Sequence, residues 1–179
     1  MNYDDLARRV IDGHVPSREE ALSIIVAPSS DLMHILNASF KIREKNFKRF
    51  VQIHYLINAK SGICPEDCSY CSQSSVSESD IEKYGLVDDE TLLKGAEDAF
   101  KAGSRRYCIV ISARGPNDYE IERLSVAVKK IKKKYDLSIC CSLGLLDDRQ
   151  ASILKESGVD RLNHNLNTSN LNETLDYIL

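Results

Sequence analysis

From Phe50 onward, short apolar strands alternate with amphipathic helical stretches, and this alternation constrains the fold most. "FVQIHYLIN" (50–58), "RRYCIVIS" (105–112), "LSICCSL" (137–143) and "DRLNHNL", starting near Asp160, read as strands. Between them, 88–103, 118–134 and 147–158 carry helical periodicity, with Gly103 placed as a C-terminal stop. Connections this short imply parallel strands joined by right-handed crossovers. Doubly wound and barrel folds both satisfy that pattern. Four strands with three intervening helices amount to about half of an eight-stranded barrel, which typically takes about 250 residues.

Residues 1–48 lack the strand pattern and look helical. Ser17 and Glu20 form a capping box in "SREE", and Leu22, Ile25 and Val26 then supply an apolar face. A further helix begins at Ser30 or Asp31 and carries Leu32, Ile35, Leu36, Phe40 and Ile42. The expected fold is therefore α/β: a helical extension over 1–48, then the first half of a TIM-type (β/α)8 barrel over 49–179, with about four parallel strands.

Bulk properties narrow the function. The 179 residues are 42% hydrophobic and 28% charged, enough for a real core, and the net charge of −3 comes without a basic stripe. No nucleic-acid partner is expected. The run "KKIKKK" (129–134) falls late in a helix, where cations suit the dipole, and reads as a solvated face. "MNYDDLARRV" opens with acids and has no apolar h-region, and no apolar stretch nears the ~20 residues of a membrane span. A cytoplasmic protein without a membrane partner is expected. In that reducing compartment six cysteines favour metal or redox chemistry over disulfides.

"SGICPEDCSYCSQS" (61–74) places Cys64, Cys68 and Cys71 directly after the first strand. In parallel α/β folds that end gathers the functional loops. Thiolates suit zinc or iron–sulfur clusters. Zinc wants a fourth protein ligand, yet no His or Cys lies between Cys71 and Cys108. A 4Fe–4S cluster on three cysteines instead leaves one iron open to a non-protein ligand. The C-x3-C-x2-C spacing, with Tyr70 before the third cysteine, resembles the signature of radical S-adenosylmethionine (SAM) enzymes. That likeness implies a cluster whose open iron chelates the methionine moiety of SAM and whose electron cleaves the sulfonium.

Strand parity sorts the other candidates. Cys108, Val110 and Ser112 share one face; Tyr107, Ile109 and Ile111 share the other. Cys140 lies with Ser138 and Ser142, and Cys141 with Ile139 and Leu143. The apolar sets should pack on helices, so Cys108 and Cys140 look inward and Cys141 is an ordinary buried thiol. Asn163, Asn165 and Asn167 share a face opposite Leu162, His164 and Leu166. Inward amides need partners, which points to a polar ligand, with a solvated edge strand as the alternative. Gln52, His54 and Asn58 add a polar face on the first strand, with His54 read as a satisfied core histidine.

Together, "NAKSGICPEDCSYCSQS", "YCIVISARGP", "CCSLGLL" and "NHNLNTS" closely resemble the biotin synthase family in order and spacing, nearly to Ser169. The resemblance implies a barrel, usually a homodimer, that inserts sulfur into dethiobiotin to give biotin, with a donor such as flavodoxin or ferredoxin supplying electrons. By the same resemblance, Cys64, Cys68 and Cys71 bind the 4Fe–4S cluster. Cys108 and Cys140 are two ligands of a 2Fe–2S cluster that provides the sulfur. Asn163 and Asn165 bond the ureido ring of dethiobiotin. Asn165 and Asn167 reach the SAM ribose, and Tyr70 lies beside its adenine. Asn167 stands where the family commonly has an acid, which removes charge assistance from that hydrogen bond.

The family's third 2Fe–2S cysteine, its arginine ligand and the later strands would lie beyond Leu179. The expectation is a biotin synthase truncated to its N-terminal half and inactive alone. The competing readings are another radical SAM enzyme of this fold, or a non-catalytic iron–sulfur or zinc-binding fragment.

Overall fold

The structure, a computed structural model, describes residues 1–68 and 70–165. Two of the residues sorted by parity, Leu166 and Asn167, lie outside the described residues. The chain divides into two compact units, Met1–Val51 and Gln52–Leu179.

The first unit holds α1 (Tyr3–Ile11), α2 (Arg18–Ile25), a short 3-10 turn (Ser29–Asp31) and α3 (Leu32–Phe47). Asn2 caps α1 by accepting the Asp5 N–H at 3.1 Å, and Ser17 and Glu20 close the capping box on α2. Tyr3, Ala7 and Ala38 form a small core with Ile24, Ile35 and Ile42 against it, and the Tyr3 hydroxyl donates to Asp31 at 2.8 Å. Glu20 ties α1 to α2 through His14 (2.7 Å) and Arg9 (2.6 Å). Hydrogen bonds from His14, the Ser17 N–H and Arg9 hold its carboxyl down at about 2. Of the expected apolar faces, Leu22, Ile25, Val26, Leu32, Leu36 and Phe40 stay exposed. So few helical residues bury too little surface to cover every apolar side.

The second unit is a parallel sheet in the order β1 (His54–Lys60), β2 (Arg106–Ile111), β3 (Ser138–Ser142), β4 (Arg161–Leu162). The crossovers are α4 (Asp89–Lys101), α5 (Asp118–Lys134) and α6 (Asp148–Ser157). Asp88, Asn117 and Asp147 cap them, the last two in reciprocal boxes with Glu120 and Gln150. β1 begins at His54 rather than Phe50, because its ladder starts where Arg106 supplies the partner. β4 pairs on one side and is short. Its start is held by Asp160, whose carboxylate accepts the Ile139 N–H at 2.7 Å and Lys132 at 3.0 Å.

The core lies between one sheet face and the helices. Tyr107, Ile109, Ile139, Cys141 and Leu143 meet Leu92, Ile121, Leu124, Val128 and Leu154, all with almost no solvent contact. Each fully buried Leu or Ile contributes about 1.5–3 kcal/mol relative to exposure. Tyr107 keeps its hydroxyl satisfied by donating to the Leu92 carbonyl at 3.1 Å. The lysines of 129–134 are exposed around buried Ile131. With the apolar sets committed to this face, the other sheet face is left for polar groups and thiols. Among the described residues no single helix is long and apolar enough to cross a membrane.

Candidate functional site

The cysteine loop leaves β1 at Ser61, which pairs with Tyr84 through two backbone bonds of 3.0 Å. Cys64 is bracketed by 73–75: its N–H donates to the Gln73 carbonyl (3.2 Å) and its carbonyl accepts from the Ser75 N–H (2.8 Å). Cys68 and Cys71 flank a turn closed by the Cys71 N–H on the Cys68 carbonyl at 2.9 Å. The Ser74 hydroxyl donates to the Glu66 carbonyl (2.7 Å), so the loop is braced across its width. Such side-chain-to-backbone bonds let a strandless segment keep one shape.

Two neighbouring loops complete the mouth. Arg114, after β2, pairs with Glu66 of the cysteine loop at 3.2 Å. Gly144, after β3, sits at φ +80°, and a Cβ there would lie 2.2 Å from the Arg114 carbonyl. Glycine therefore permits the close approach, which the Leu145 N–H seals on the same carbonyl at 2.7 Å. Below this rim lies a cleft of about 360 Å³ lined by Asn58, Cys64, Tyr70, Cys71, Ser112 and Asn165, among others. A larger cavity of about 1040 Å³ runs between β1 and α4, lined by Tyr55, Ile57 and Leu93. That one holds no thiol and follows the unpaired side of β1, so the smaller cleft is the candidate site.

Cys108 and Cys140 are register partners on β2 and β3. Both are half-buried on the inner face, as is the neighbouring pair Val110 and Ser142. Two residues of strand separate the thiols from that pair, placing them about 7 Å deeper. Burial and the Cys140 thiol push the Cys108 thiol up, and Arg106 on the same face pulls the other way. Cys141 occupies the opposite face, fully buried, its thiol pushed up to about 12 by desolvation. The structure thus separates the adjacent cysteines to opposite sides of the sheet.

The amides are arranged differently from a continuous strand. Asn163 donates from Nδ2 to Asn165 Oδ1 (3.2 Å) and to Ser142 Oγ (3.5 Å), and both amides are exposed. Because β4 ends at Leu162, alternation stops there: His164, assigned by parity to the face of Leu162, lines the cleft beside Asn165, whereas Asn163 lines a neighbouring pocket with Cys141, Leu143 and Leu162. Asn167 lies outside the described residues. His54 is exposed, with Arg106 Nη1 3.4 Å from its Nε2, so it is not a core histidine; it sits at the sheet's N-terminal end, where β1 has little packed against it. Gln73, Ser112 and Ser142 were not singled out from the sequence as site residues. The C-terminal position of each after or within its strand was the available signal for the two serines.

The donor set fits an iron–sulfur cluster. Burial, then Cys71, Cys64 and Glu66, push the Cys68 thiol up, with a Tyr70 hydrogen bond opposing them. Cys64 and Cys71 therefore both lie within electrostatic reach of Cys68. Among the described residues, however, no three His, Cys, Asp or Glu side chains are arranged to hold a single metal ion. Thiolates are the soft donors that iron–sulfur clusters take, and Cys64 and Cys71 line the cleft. Ser112, in the cleft wall, carries a buried hydroxyl without a hydrogen-bond partner.

Known proteins resemble the chain in the same terms. Residues 59–178 match the Radical SAM superfamily. The chain is 49% identical over 167 residues to biotin synthase of Rhodopirellula baltica, covering 93% of the chain and 46% of that protein. It is 49% identical over 170 residues to biotin synthase of Bacillus velezensis, covering 95% and 50%. The chain therefore spans about half the length of the relatives it matches. Among solved structures, methylornithine synthase superposes with a TM-score of 0.72 at 22% identity, covering 88% of the chain and 46% of that protein. A maturase of the [FeFe]-hydrogenase gives 0.70 at 16% identity, covering 88% and 35%. At those identities the structures support the barrel-type fold alone.

Proposed function

The chain belongs to the radical SAM superfamily, and from that premise we propose that its site serves the biotin synthase reaction, conversion of dethiobiotin to biotin by sulfur insertion. The observation that carries this reading is the paired Cys108 and Cys140 beneath the cysteine loop. A three-cysteine loop alone would suit any member of the superfamily. Two further thiols on the same inner face suit one that also handles sulfur deeper in the lumen.

In this reading Cys64, Cys68 and Cys71 hold a 4Fe–4S cluster, and Cys108 and Cys140 are two of the ligands of a 2Fe–2S cluster. When bound, the first supplies the electron that splits the SAM sulfonium, and the second supplies sulfur. The chain's own residues orient the reactants. Asn163 spends its NH2 on Ser142 and Asn165, which leaves its carbonyl oxygen to accept a ureido N–H. Asn165, its oxygen occupied, offers NH2 to the ureido carbonyl or to the SAM ribose. One amide acceptor and one amide donor, hydrogen-bonded to each other at the cleft edge, match a cyclic urea. Tyr70 lines the cleft wall, where it would flank adenine. The Gly144–Arg114 contact holds the loops after β2 and β3 against each other at the rim. Asn167 would join Asn165 at the ribose. A cytoplasmic setting, flavodoxin or ferredoxin as electron donor, and a homodimer complete the proposal.

A chimera joining residues 1–165 to the remaining half of the R. baltica biotin synthase tests the reading. With SAM, dethiobiotin and reductant it should form biotin, and Cys64→Ala in the chimera should abolish it. A folded chimera that loads both clusters and cleaves SAM without making biotin would point to another radical enzyme.

A further inference from the structure

We propose that Gln73 is a positioning residue for the cluster loop, acting through its side-chain oxygen. The inference rests on the cluster-binding reading above. Cys64 stands on one limb of the loop, and Cys68 and Cys71 on the turn that precedes Gln73. Three ligands can seat one cluster only if the limb and the turn keep a fixed separation. Gln73 supplies that joint from both its backbone and its side chain. Its carbonyl accepts the Cys64 N–H at 3.2 Å. Its Oε1 accepts the Gly62 N–H at 2.9 Å and the Ser61 hydroxyl at 3.1 Å. A single residue after the third cysteine thus binds three points before and at the first: Ser61, Gly62 and Cys64.

The chemistry of the contact sets the requirement. A backbone N–H can face only an acceptor, so the amide oxygen of Gln73, not its nitrogen, must meet Gly62. Ser61 and Gly62 are both buried, so without that oxygen a buried donor loses its partner. Gly62 has little freedom to find another. It sits at φ +68°, and a Cβ there would lie 2.7 Å from the Lys83 side chain. Alanine at 73 keeps the backbone bond to Cys64 and removes the two side-chain bonds. Glutamate keeps an acceptor oxygen in the same place. Cluster seating should therefore follow the oxygen and ignore the amide nitrogen.

The test compares the full chain as wild type, Gln73→Ala and Gln73→Glu. Amide hydrogen exchange at Gly62 and Cys64 is measured on the metal-free chain, and iron per chain after anaerobic reconstitution. In Gln73→Ala, Gly62 and Cys64 should exchange at least tenfold faster and iron retention should fall severalfold, with helix content by circular dichroism unchanged. Gln73→Glu should restore both toward wild type. The proposal is overturned if Gln73→Ala matches wild type in exchange and iron, or if Gln73→Glu fails as badly as alanine. A wild-type chain that takes up no iron while the exchange pattern follows the oxygen would reject the cluster reading and leave the joint standing.

Discussion

Cys108 and Cys140 face each other across the β2–β3 pair on the inner sheet face, while Cys141, one residue on, is sealed among core side chains on the other. Native-state labelling mapped by mass spectrometry should modify Cys108 and Cys140 and reach Cys141 only after unfolding. Cys141→Ser buries a hydroxyl and should cost about 1–3 kcal/mol in a urea melt. Iron uptake should be unaffected, because that thiol takes no part in the site.

Lys60 and Glu120 form an ion pair at 2.8 Å with side chains only 16% and 7% exposed. It joins the end of β1, whose carbonyl also takes the Ser112 N–H at 2.9 Å, to the start of α5. Glu120→Gln leaves a mostly buried ammonium without its counter-charge and should destabilise the chain by about 3–5 kcal/mol. Lys60→Met combined with Glu120→Leu should recover part of that loss. Urea midpoints of the single and double variants measure both effects.

Glu20 gives the helical unit an acid limit. Its carboxyl is held at about 2 in place of 4.5, so the folded state binds the proton less readily than the unfolded chain. The stabilisation is complete above pH 4.5 and lost as pH falls toward about 2. Helicity followed by circular dichroism should decline across that interval, and Glu20→Gln should flatten that part of the curve.

The 179-residue polypeptide alone should make no biotin. Among its described residues, Cys108 and Cys140 supply two thiols at the deep site, and the outer sides of β1 and β4 have no partner strand. Mass spectrometric assay with SAM, dethiobiotin and dithionite checks this, and measurable biotin would contradict it.

Much of this arrangement was legible in the sequence. Period-two alternation correctly separated Cys140 from Cys141, because a strand packed on helices commits one whole face to apolar residues. The helix start at Ser17 follows from a side chain that must answer exposed N–H groups. Where pairing runs out, alternation fails. Phe50 to Ile53 look like strand but lie outside the ladder, and His164 turns to the cleft once β4 ends. The role of Gln73 could not be read from periodicity, since it arises from a loop folding back on itself.

The most direct measurement is electron paramagnetic resonance on the reconstituted, reduced chain, recorded with and without SAM. One iron free of protein ligands should yield a reduced 4Fe–4S spectrum whose g-values shift when SAM binds, and Cys64→Ala should erase the signal. A spectrum indifferent to SAM, or stoichiometric zinc in place of a cluster, would contradict the account.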